Sequence, residues 1–325
     1  MATWIVDANE DGVRLDHFVG ARGSLSHAAA RRVVDGGAVK INGRRAKKGA
    51  RLASGDRVSV DGTLPDENAL RPIPEPDQPL EVLHADDDVV VVNKPPGIPT
   101  HPLRAGEKDT LAGRLLGRFP ECAHVGADPR EAGFAHRLDS DTSGVLVAAR
   151  RQEAWETLRA SFRAGRAHKT YLALVAGEVT RPGEVELALL HDPHDRRRVL
   201  VVAPDTPEAR LAHTRYEPIA RAAGMTLLFA LSSTGRMHQI RAHLAHLGFP
   251  LVGDALYGGP PAPDGSPGHF LHASRIAIPH PSGGTLDVSA PLPAERAATL
   301  QRLGFPAAIL GADGRAISSL PQGPD

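Results

Sequence analysis

The sequence predicts an α+β fold, in which helices flank a mixed, mostly antiparallel sheet and a small α+β domain precedes it. Two observations support this prediction. Short apolar or alternating segments, which are typical of strands, outnumber long helical ones and are often separated by short turns. A stretch rich in proline and acidic residues also divides the chain, whose 325 residues are enough for two domains.

The predicted first domain spans residues 12–61. A tight hairpin turn at Asn42-Gly43 follows a short strand, because this residue pair favours the left-handed backbone that such turns need. The other elements follow from capping and β-branched residues: helices at 14–19 and from Ser24 or Ser26 to Val34, and strands at 39–41 and 57–60.

Charge is unevenly distributed along the chain. The totals of 38 basic and 38 acidic residues cancel, but residues 11–60 carry eleven lysines and arginines against four acidic residues. A local basic surface attracts phosphates whatever the net charge, because electrostatic attraction is screened beyond about 10 Å. Taken alone, this charge is more simply interpreted as a solvated surface, and RNA binding is the functional alternative that the resemblance given below favours. The basic side chains that would contact RNA are Arg31, Arg32, Arg44, Arg45, Lys47 and Lys48.

Residues 62–78 form a predicted linker that is extended and poorly packed, since four prolines lie among acidic residues there. The second domain is expected at residues 79–300, and the tail at 311–325 is predicted to be disordered. Apolar periodicity predicts these elements of the second domain: strands at 89–92, 145–149, 171–175, 214–216, 226–231 and 286–288, and helices at 153–164 and 239–247.

Several classes of protein are disfavoured by composition. Cys122 is the only cysteine, so neither an internal disulfide nor a cysteine-ligated zinc site is expected. The N-terminus lacks a signal-peptide pattern and the apolar runs are too short to span a bilayer, which predicts a cytoplasmic protein with no membrane partner. Two histidine pairs are spaced like metal ligands but lack the His-Glu-x-x-His pattern: His191 with His194, and His243 with His246. No metal or cofactor is expected.

Three polar segments are candidates for chemistry. Residues 136–144 place Asp139 in a polar turn before a buried strand, although such residues are common in turns without any function. Residues 169–175 put Tyr171 near the start of a strand, and residues 234–248 put Arg236 in the turn before a helix. Brought together in one cleft, an aromatic ring can stack on a base and an arginine can neutralise a carboxylate or phosphate.

From Gly12 to Pro293 the chain resembles the RluA-type pseudouridine synthases, and its first domain resembles the S4 family of RNA-binding domains. The first resemblance includes Asn93-Lys94-Pro95-Pro96-Gly97, the three polar segments above and Pro250-Leu251-Val252-Gly253-Asp254. The second includes Gly37–Gly43 and Gly55-Asp56-Arg57-Val58. These matches imply the pseudouridine synthase fold and a cofactor-free isomerisation of uridine in RNA.

The resemblance also implies roles for individual residues. Asp139 matches the essential aspartate, which acts as a nucleophile at the sugar or as a base at C2′, and Arg236 matches the arginine that pairs with it. Tyr171 matches the tyrosine that stacks on the target base and assists proton removal from C5. Arg137 matches the residue that replaces the extruded nucleotide, and His136 and Arg241 are further predicted RNA contacts. Met237 stands where the family usually has Thr or Ser.

Two functions remain open on these observations. The first is an RNA pseudouridine synthase that acts on structured RNA, with large-subunit ribosomal RNA favoured over transfer RNA by the added S4-like domain. The second is an RNA-binding ribosome assembly factor that has lost catalysis. Retention of Asp139, Tyr171 and Arg236 together favours the enzyme, since a binding protein does not need all three. A monomer is expected.

Overall fold

The computed structural model describes residues 2–23, 25, 27–47, 49–64 and 66–309. Within them the chain divides into two compact units, one formed mainly by Met1–Arg71 and the other mainly by the residues from Pro72 onward. The predicted domain boundaries at 12–61 and 79–300 stay predictions. Four features predicted from the sequence lie outside the described residues: the caps Ser24 and Ser26, the basic residue Lys48 and the tail at 311–325.

The N-terminal unit is a four-stranded antiparallel sheet packed against two helices. Its elements are β1 (Ala2–Ile5), α1 (Leu15–Gly23), α2 (His27–Asp35), β2 (Val39–Ile41), β3 (Arg44–Arg45) and β4 (Arg57–Val60). The strand order is β1-β4-β2-β3, so that β3 forms an edge. The turn between β2 and β3 has Asn42 and Gly43 at φ 51° and 78°, as its sequence predicts. The sequence did not predict β1.

The C-terminal unit contains ten strands and four α-helices among its described residues. The strands are β5 (Glu81–Ala85), β6 (Val89–Lys94), β7 (Ser143–Ala149), β8 (His168–Ala176), β9 (Gly183–His191), β10 (Val199–Val202), β11 (Arg210–Ala222), β12 (Met225–Ser232), β13 (Leu271–Pro279) and β14 (Thr285–Ser289). The helices are α3 (Leu111–Arg118), α4 (Gln152–Arg163), α5 (Gln239–His246) and α6 (Ala294–Arg302).

All ten strands belong to one sheet, with the order β10-β9-β11-β12-β8-β13-β7-β6-β5 and with β14 paired to β13. The pairing is antiparallel except between β13 and β7, where His272 and Ala273 pair in parallel with Ser143 and Gly144. This mixed, mostly antiparallel sheet confirms the predicted fold class.

Both faces of the central strands are covered, because their side chains alternate between two apolar clusters. On β8, Tyr171, Ala173 and Val175 face the larger cluster, which α3 and α4 also line. Leu172 and Leu174 face the opposite cluster, to which α6 contributes Leu300. The period of two that defines a strand therefore places Tyr171 on one defined face of the sheet.

The predicted linker is better packed than its composition suggests. The carboxylate of Glu75 accepts hydrogen bonds from the backbone N–H groups of Asp109 (2.9 Å) and Thr110 (3.3 Å), where α3 begins. Its own N–H donates to the carbonyl of Gly113 (2.9 Å), and a side chain at Gly113 would collide with Glu75. The expectation of a poorly packed segment is therefore wrong at Glu75.

No helix of the described chain is long and apolar enough to cross a membrane.

Candidate active site

Asp139 lies in the polar turn that leads into β7, and its side chain is 19% exposed. Thr142 donates its N–H to the carbonyl of Asp139 (3.1 Å) and so closes the turn. Behind it, the buried ammonium of Lys94 donates to the carbonyls of Pro95 (2.9 Å), Ser140 (2.5 Å) and Thr142 (2.9 Å). These three acceptors match the three donors of an ammonium group, although burial lowers the pKa of Lys94 to about 7.

The arginine that contacts Asp139 is Arg241, and the prediction that Arg236 pairs with it is wrong. Arg241 Nη1 donates to Asp139 Oδ2 at 3.0 Å. Its Nε and Nη2 bind both oxygens of Asp254 at 2.7 and 2.8 Å, so one guanidinium holds two carboxylates. Arg241 is buried at 7% exposure. A direct RNA contact is therefore not its main role here.

Arg236 is exposed, and its Nε donates to the carbonyl of Leu211 at 3.2 Å. The side-chain oxygen of Gln239 accepts the N–H of Arg236 (3.2 Å) and the hydroxyl of Thr234 (2.8 Å), which fixes the turn. Met237 packs against a small apolar cluster with Ala242, in agreement with a packing role for this departure from the family pattern.

His238 and Tyr257 complete the surroundings of Asp139, and sequence reasoning assigned neither residue a role. The Nε2 atom of His238 lies 3.8 Å from Asp139 Oδ2, and its Nδ1 lies 3.1 Å from the Tyr257 hydroxyl. That hydroxyl accepts the N–H of Val199 (2.9 Å), so its proton is available to Nδ1. When the hydroxyl donates its proton to Nδ1, the neutral imidazole carries its own proton on Nε2, which faces Asp139. His238 adopts a left-handed backbone, with φ 52°.

The carboxyl of Asp139 experiences two opposing influences. Burial favours its neutral form, but in the acid range the charge of protonated His238, together with the charge of Arg241, outweighs burial and holds the pKa of Asp139 below its ordinary value. Asp139 is therefore ionised at neutral pH, as both proposed catalytic roles require.

Tyr171 lies on β8 with 7% of its surface exposed. Its cross-strand neighbours are Ala230 and Ala273, whose small side chains leave room on this face. Burial and the negative charge of Asp139 both raise the pKa of Tyr171 above its ordinary value. On the same face, Lys169 donates to the carbonyl of Thr234 (2.9 Å) and links β8 to the turn that carries Arg236. The structure thus brings the three predicted segments together.

The two predicted RNA contacts next to Asp139 have different surroundings. Arg137 is exposed. His136 is half-buried, its Nε2 accepts the N–H of Val147 (3.1 Å), and its ring packs on Phe162 with centroids 4.7 Å apart. Burial lowers the pKa of His136 to about 3, so it is neutral. His136 anchors the turn to β7, and a contact between this side chain and RNA stays a prediction.

The basic side chains of the N-terminal unit lie where solvent reaches them. Arg31 and Arg32 are exposed on α2, and Arg31 lies 3.7 Å from Asp35. The remaining described members are exposed on or just after the edge strand β3: Arg44, Arg45 and Lys47.

One group in the described chain has three metal-ligand atoms close together, within 4.8 Å: Asp16, His17 and His27. It is not one of the histidine pairs that the sequence offered. Both Asp16 oxygens already accept hydrogen bonds from Arg14, at 3.1 and 2.7 Å, which makes the group a poor metal site.

Comparison with known proteins identifies the family. Residues 88–246 match the family model of RNA pseudouridylate synthase, and residues 13–58 match the model of the S4 domain. An uncharacterized RNA pseudouridine synthase of Chloroflexus aurantiacus is 37% identical over 303 residues, which cover 92% of each chain. The chain belongs to the RNA pseudouridine synthase family. The predicted enzyme class, an isomerase that converts uridine in RNA to pseudouridine, is thereby confirmed.

Other members of the family agree with this assignment. The ribosomal large subunit pseudouridine synthase D of Xanthomonas campestris pv. campestris is 37% identical over 283 residues, which cover 83% of this chain and 81% of that one. Among solved structures, human RNA pseudouridylate synthase domain containing 1 is 26% identical, with a TM-score of 0.54. That alignment covers 66% of this chain and 84% of the human one, and it supports the pseudouridine synthase fold.

Proposed function

We propose that this enzyme isomerises uridines of large-subunit ribosomal RNA, with Asp139 as the catalytic carboxylate. The observation that carries the proposal is the setting of Asp139. It is an ionised carboxylate, held at 3.0 Å by Arg241 and electrostatically coupled to a buried tyrosine on strand β8. The name of the Xanthomonas relative, which covers most of the chain, supports the choice of RNA.

The reaction conserves all atoms of the nucleotide. The bond between N1 and C1′ breaks, a bond between C5 and C1′ forms, and the proton on C5 is released while N1 gains one. An ionised carboxylate can attack C1′ or accept a proton from C2′, and both routes remain open. In either route the carboxylate also stabilises positive charge that develops on the sugar.

Tyr171 and Arg137 fit the remaining requirements of the reaction. The target base must leave its stack, at a cost of a few kcal/mol, because its reacting atoms are inaccessible there. Arg137 is exposed beside the catalytic turn and is suited to enter the stack in place of the base. Tyr171 offers an aromatic face to the extruded uracil. Its raised pKa keeps the hydroxyl protonated at neutral pH, so any help with the C5 proton must use the neutral phenol.

The first test compares the two carboxylates of the turn. Asp139→Asn removes the charge without changing the size of the side chain, and we expect no pseudouridine when the variant is incubated with RNA from cells that lack the gene. Asp141→Asn is the matched control, because the Asp141 side chain is 44% exposed and its closest ion-pair partner, His269, is 3.9 Å away. Product formation by Asp139→Asn would overturn the catalytic assignment and leave RNA binding as the alternative.

The second test identifies the substrate. Pseudouridine is mapped in ribosomal and transfer RNA from cells with and without the gene, and we expect the affected positions in large-subunit ribosomal RNA. Effects confined to transfer RNA would overturn the substrate proposal but not the enzyme class. A monomeric state and a cytoplasmic location stay predictions.

A further inference from the structure

Arg296, on helix α6, has an unusual environment for an arginine. It is 8% exposed, and its guanidinium lies over the ring of Phe270, 5.2 Å from the centroid. Its Nη1 donates to Ser143 Oγ (3.1 Å) and to the carbonyl of Leu271 (2.6 Å). Its Nη2 donates to the carbonyls of Asp141 (2.7 Å) and His269 (2.8 Å). Within the described residues no carboxylate forms an ion pair with it. Its four hydrogen bonds go to oxygens of two chain segments, residues 141–143 and 269–271.

These segments are the two that approach each other where β7 and β13 begin. Their parallel pairing includes only two residues of each strand, so the carbonyls just before it lie outside the ladder that joins this pair. A buried carbonyl without a donor costs about 1–3 kcal/mol. Arg296 supplies donors to three carbonyls there, of which the carbonyl of His269 also accepts the N–H of Leu271 (3.0 Å). Two side-chain hydrogen bonds join the same segments, Thr142 to His269 (2.7 Å) and Ser143 to His272 (2.9 Å).

A second buried basic side chain, Lys94, donates hydrogen bonds to the same turn. Lys94 Nζ binds the carbonyls of Ser140 and Thr142, while Arg296 binds the intervening carbonyl of Asp141. The three residues that follow Asp139 therefore each have their carbonyl oxygen hydrogen-bonded to a buried basic side chain. This arrangement fixes the backbone of the turn and, with it, the position of the Asp139 carboxylate relative to Arg241 and Tyr171.

We propose that Arg296 is a positioning residue for catalysis, through which α6 holds Asp139 in its reactive place. The inference rests on the proposed role of Asp139. It concerns a helix outside residues 88–246, the part that matches the synthase family model. Displacement of a reacting group by about 1 Å can lower a rate about 100-fold. Removal of the Arg296 hydrogen bonds is therefore expected to slow the chemical step.

A purely structural role for Arg296 predicts a different result. A variant that is only less stable would, when folded, convert bound substrate at the wild-type rate. A displaced Asp139 would slow that rate while RNA affinity stays the same. The decisive quantities are therefore the single-turnover rate at saturating enzyme and the dissociation constant for RNA, both measured well below the unfolding temperature of each variant.

Arg296→Met, Arg296→Lys and the control Arg302→Met form the test set. Arg302 is on the same helix, 59% exposed, and pairs with Asp264 at 2.8 Å. The probe is RNA from cells that lack the gene, with pseudouridine measured at the position that the wild type modifies. We expect Arg296→Met to lower the single-turnover rate at least about 30-fold with affinity within about twofold, and Arg296→Lys to lower it less, because its single ammonium cannot reach all four acceptors. Arg302→Met should match the wild type.

A single-turnover rate within about twofold of the wild type in folded Arg296→Met would overturn the proposal. If that variant does not fold, Arg296→Lys decides in the same way: a reduced rate supports the proposal and a wild-type rate overturns it. Asp139→Asn is measured in parallel. Activity in Asp139→Asn would show that the proposed catalytic role of Asp139 is wrong, whereas inactivity there with full activity in Arg296→Met would reject only the positioning role.

Discussion

Asp139 keeps a negative charge although only 19% of its side chain is exposed, and single residues around it decide whether that charge persists. Arg241 is the principal one, because it is the shared partner of Asp139 and Asp254. Arg241→Met would leave two carboxylates of low exposure without their cation. We expect the free energy of unfolding to fall by about 3–5 kcal/mol in chemical denaturation and the reaction rate to fall at least about 100-fold.

Arg236→Met is the natural comparison for that experiment, since Arg236 is the arginine that the sequence analysis paired with Asp139. Its side chain is exposed, and its one described side-chain hydrogen bond is to the carbonyl of Leu211. Chemical denaturation should show a loss of stability below about 1 kcal/mol for this variant. A larger loss of stability for Arg236→Met than for Arg241→Met would show that the charge of Asp139 is held differently from the arrangement described above.

The dependence of the rate on pH tests His238. Burial lowers the pKa of His238, so the imidazole becomes charged only in the acid range, where its charge 3.8 Å from Asp139 opposes protonation of the carboxylate. The wild-type rate should therefore persist as pH falls below the ordinary aspartate pKa of about 3.9. In His238→Gln the reaction rate should begin to fall at a higher pH as the solution is acidified, because the pKa of Asp139 in the folded protein rises. The measurement is the reaction rate at saturating RNA across the acid range. If the rate of His238→Gln falls at the same pH as that of the wild type, His238 is not what lowers the pKa of Asp139.

At the scale of elements, the sequence predicted several strands where apolar residues are continuous or alternate, but it missed others of the same kind, β9 and β10. It also missed β13, whose buried residues include polar ones. β6 and β7 are apolar runs and were predicted. β13 was not, because it buries His272 and Ser274, which a hydrophobic pattern does not identify. Those polar residues are buried because they bond the catalytic turn and neighbouring backbone, which depends on tertiary contacts.

The same limit explains which parts of the site were predictable. Asp139 and Tyr171 lie in local patterns of turn and strand, so sequence alone placed them. The choice between Arg236 and Arg241 depends on the direction in which α5 leaves its first turn, which the sequence does not specify. One signal was available, since Arg241 is on the buried side of α5 with Ile240 and Leu244 and therefore needs an anionic partner.

The contact between β7 and β13 gives a prediction at this scale. Gly144 has φ 114°, and a side chain there would collide with the carbonyl of Ala273 in the paired strand. Gly144→Ala should therefore separate the strands behind Asp139. Gly283→Ala is a matched control, because Gly283 has φ 103° with open space around it. Calorimetry should show a loss of stability for Gly144→Ala that exceeds the control by at least about 1–3 kcal/mol, with reduced activity. Equal losses of stability in the two variants would mean that glycine is required at position 144 by the positive φ alone, and not by the close approach of β13.

At the scale of the whole molecule, we expect the two units to have separate tasks. The C-terminal unit contains the complete cluster around Asp139, and the N-terminal unit, which matches the S4 domain model, carries exposed basic side chains on β3. Chemistry and RNA capture should therefore respond to different substitutions. Contacts with phosphates contribute to RNA affinity in a way that depends on salt concentration. The rate at which bound RNA is converted depends instead on the residues around Asp139.

The double variant Arg44→Ser, Arg45→Ser tests this division in the full chain. We expect weaker RNA binding and a smaller slope of affinity against salt concentration, by roughly 0.7–0.9 for each phosphate that is no longer neutralised, because fewer counterions are released on binding. The rate at saturating RNA should stay unchanged, since neither residue belongs to the cluster around Asp139. Arg181→Ser, Arg221→Ser is the control with the same change in charge: both residues are exposed, and Arg221 lies at the end of β11 that pairs with Thr226. An equal decrease of affinity in the two variants would show that total charge, and not the edge strand β3, attracts the RNA.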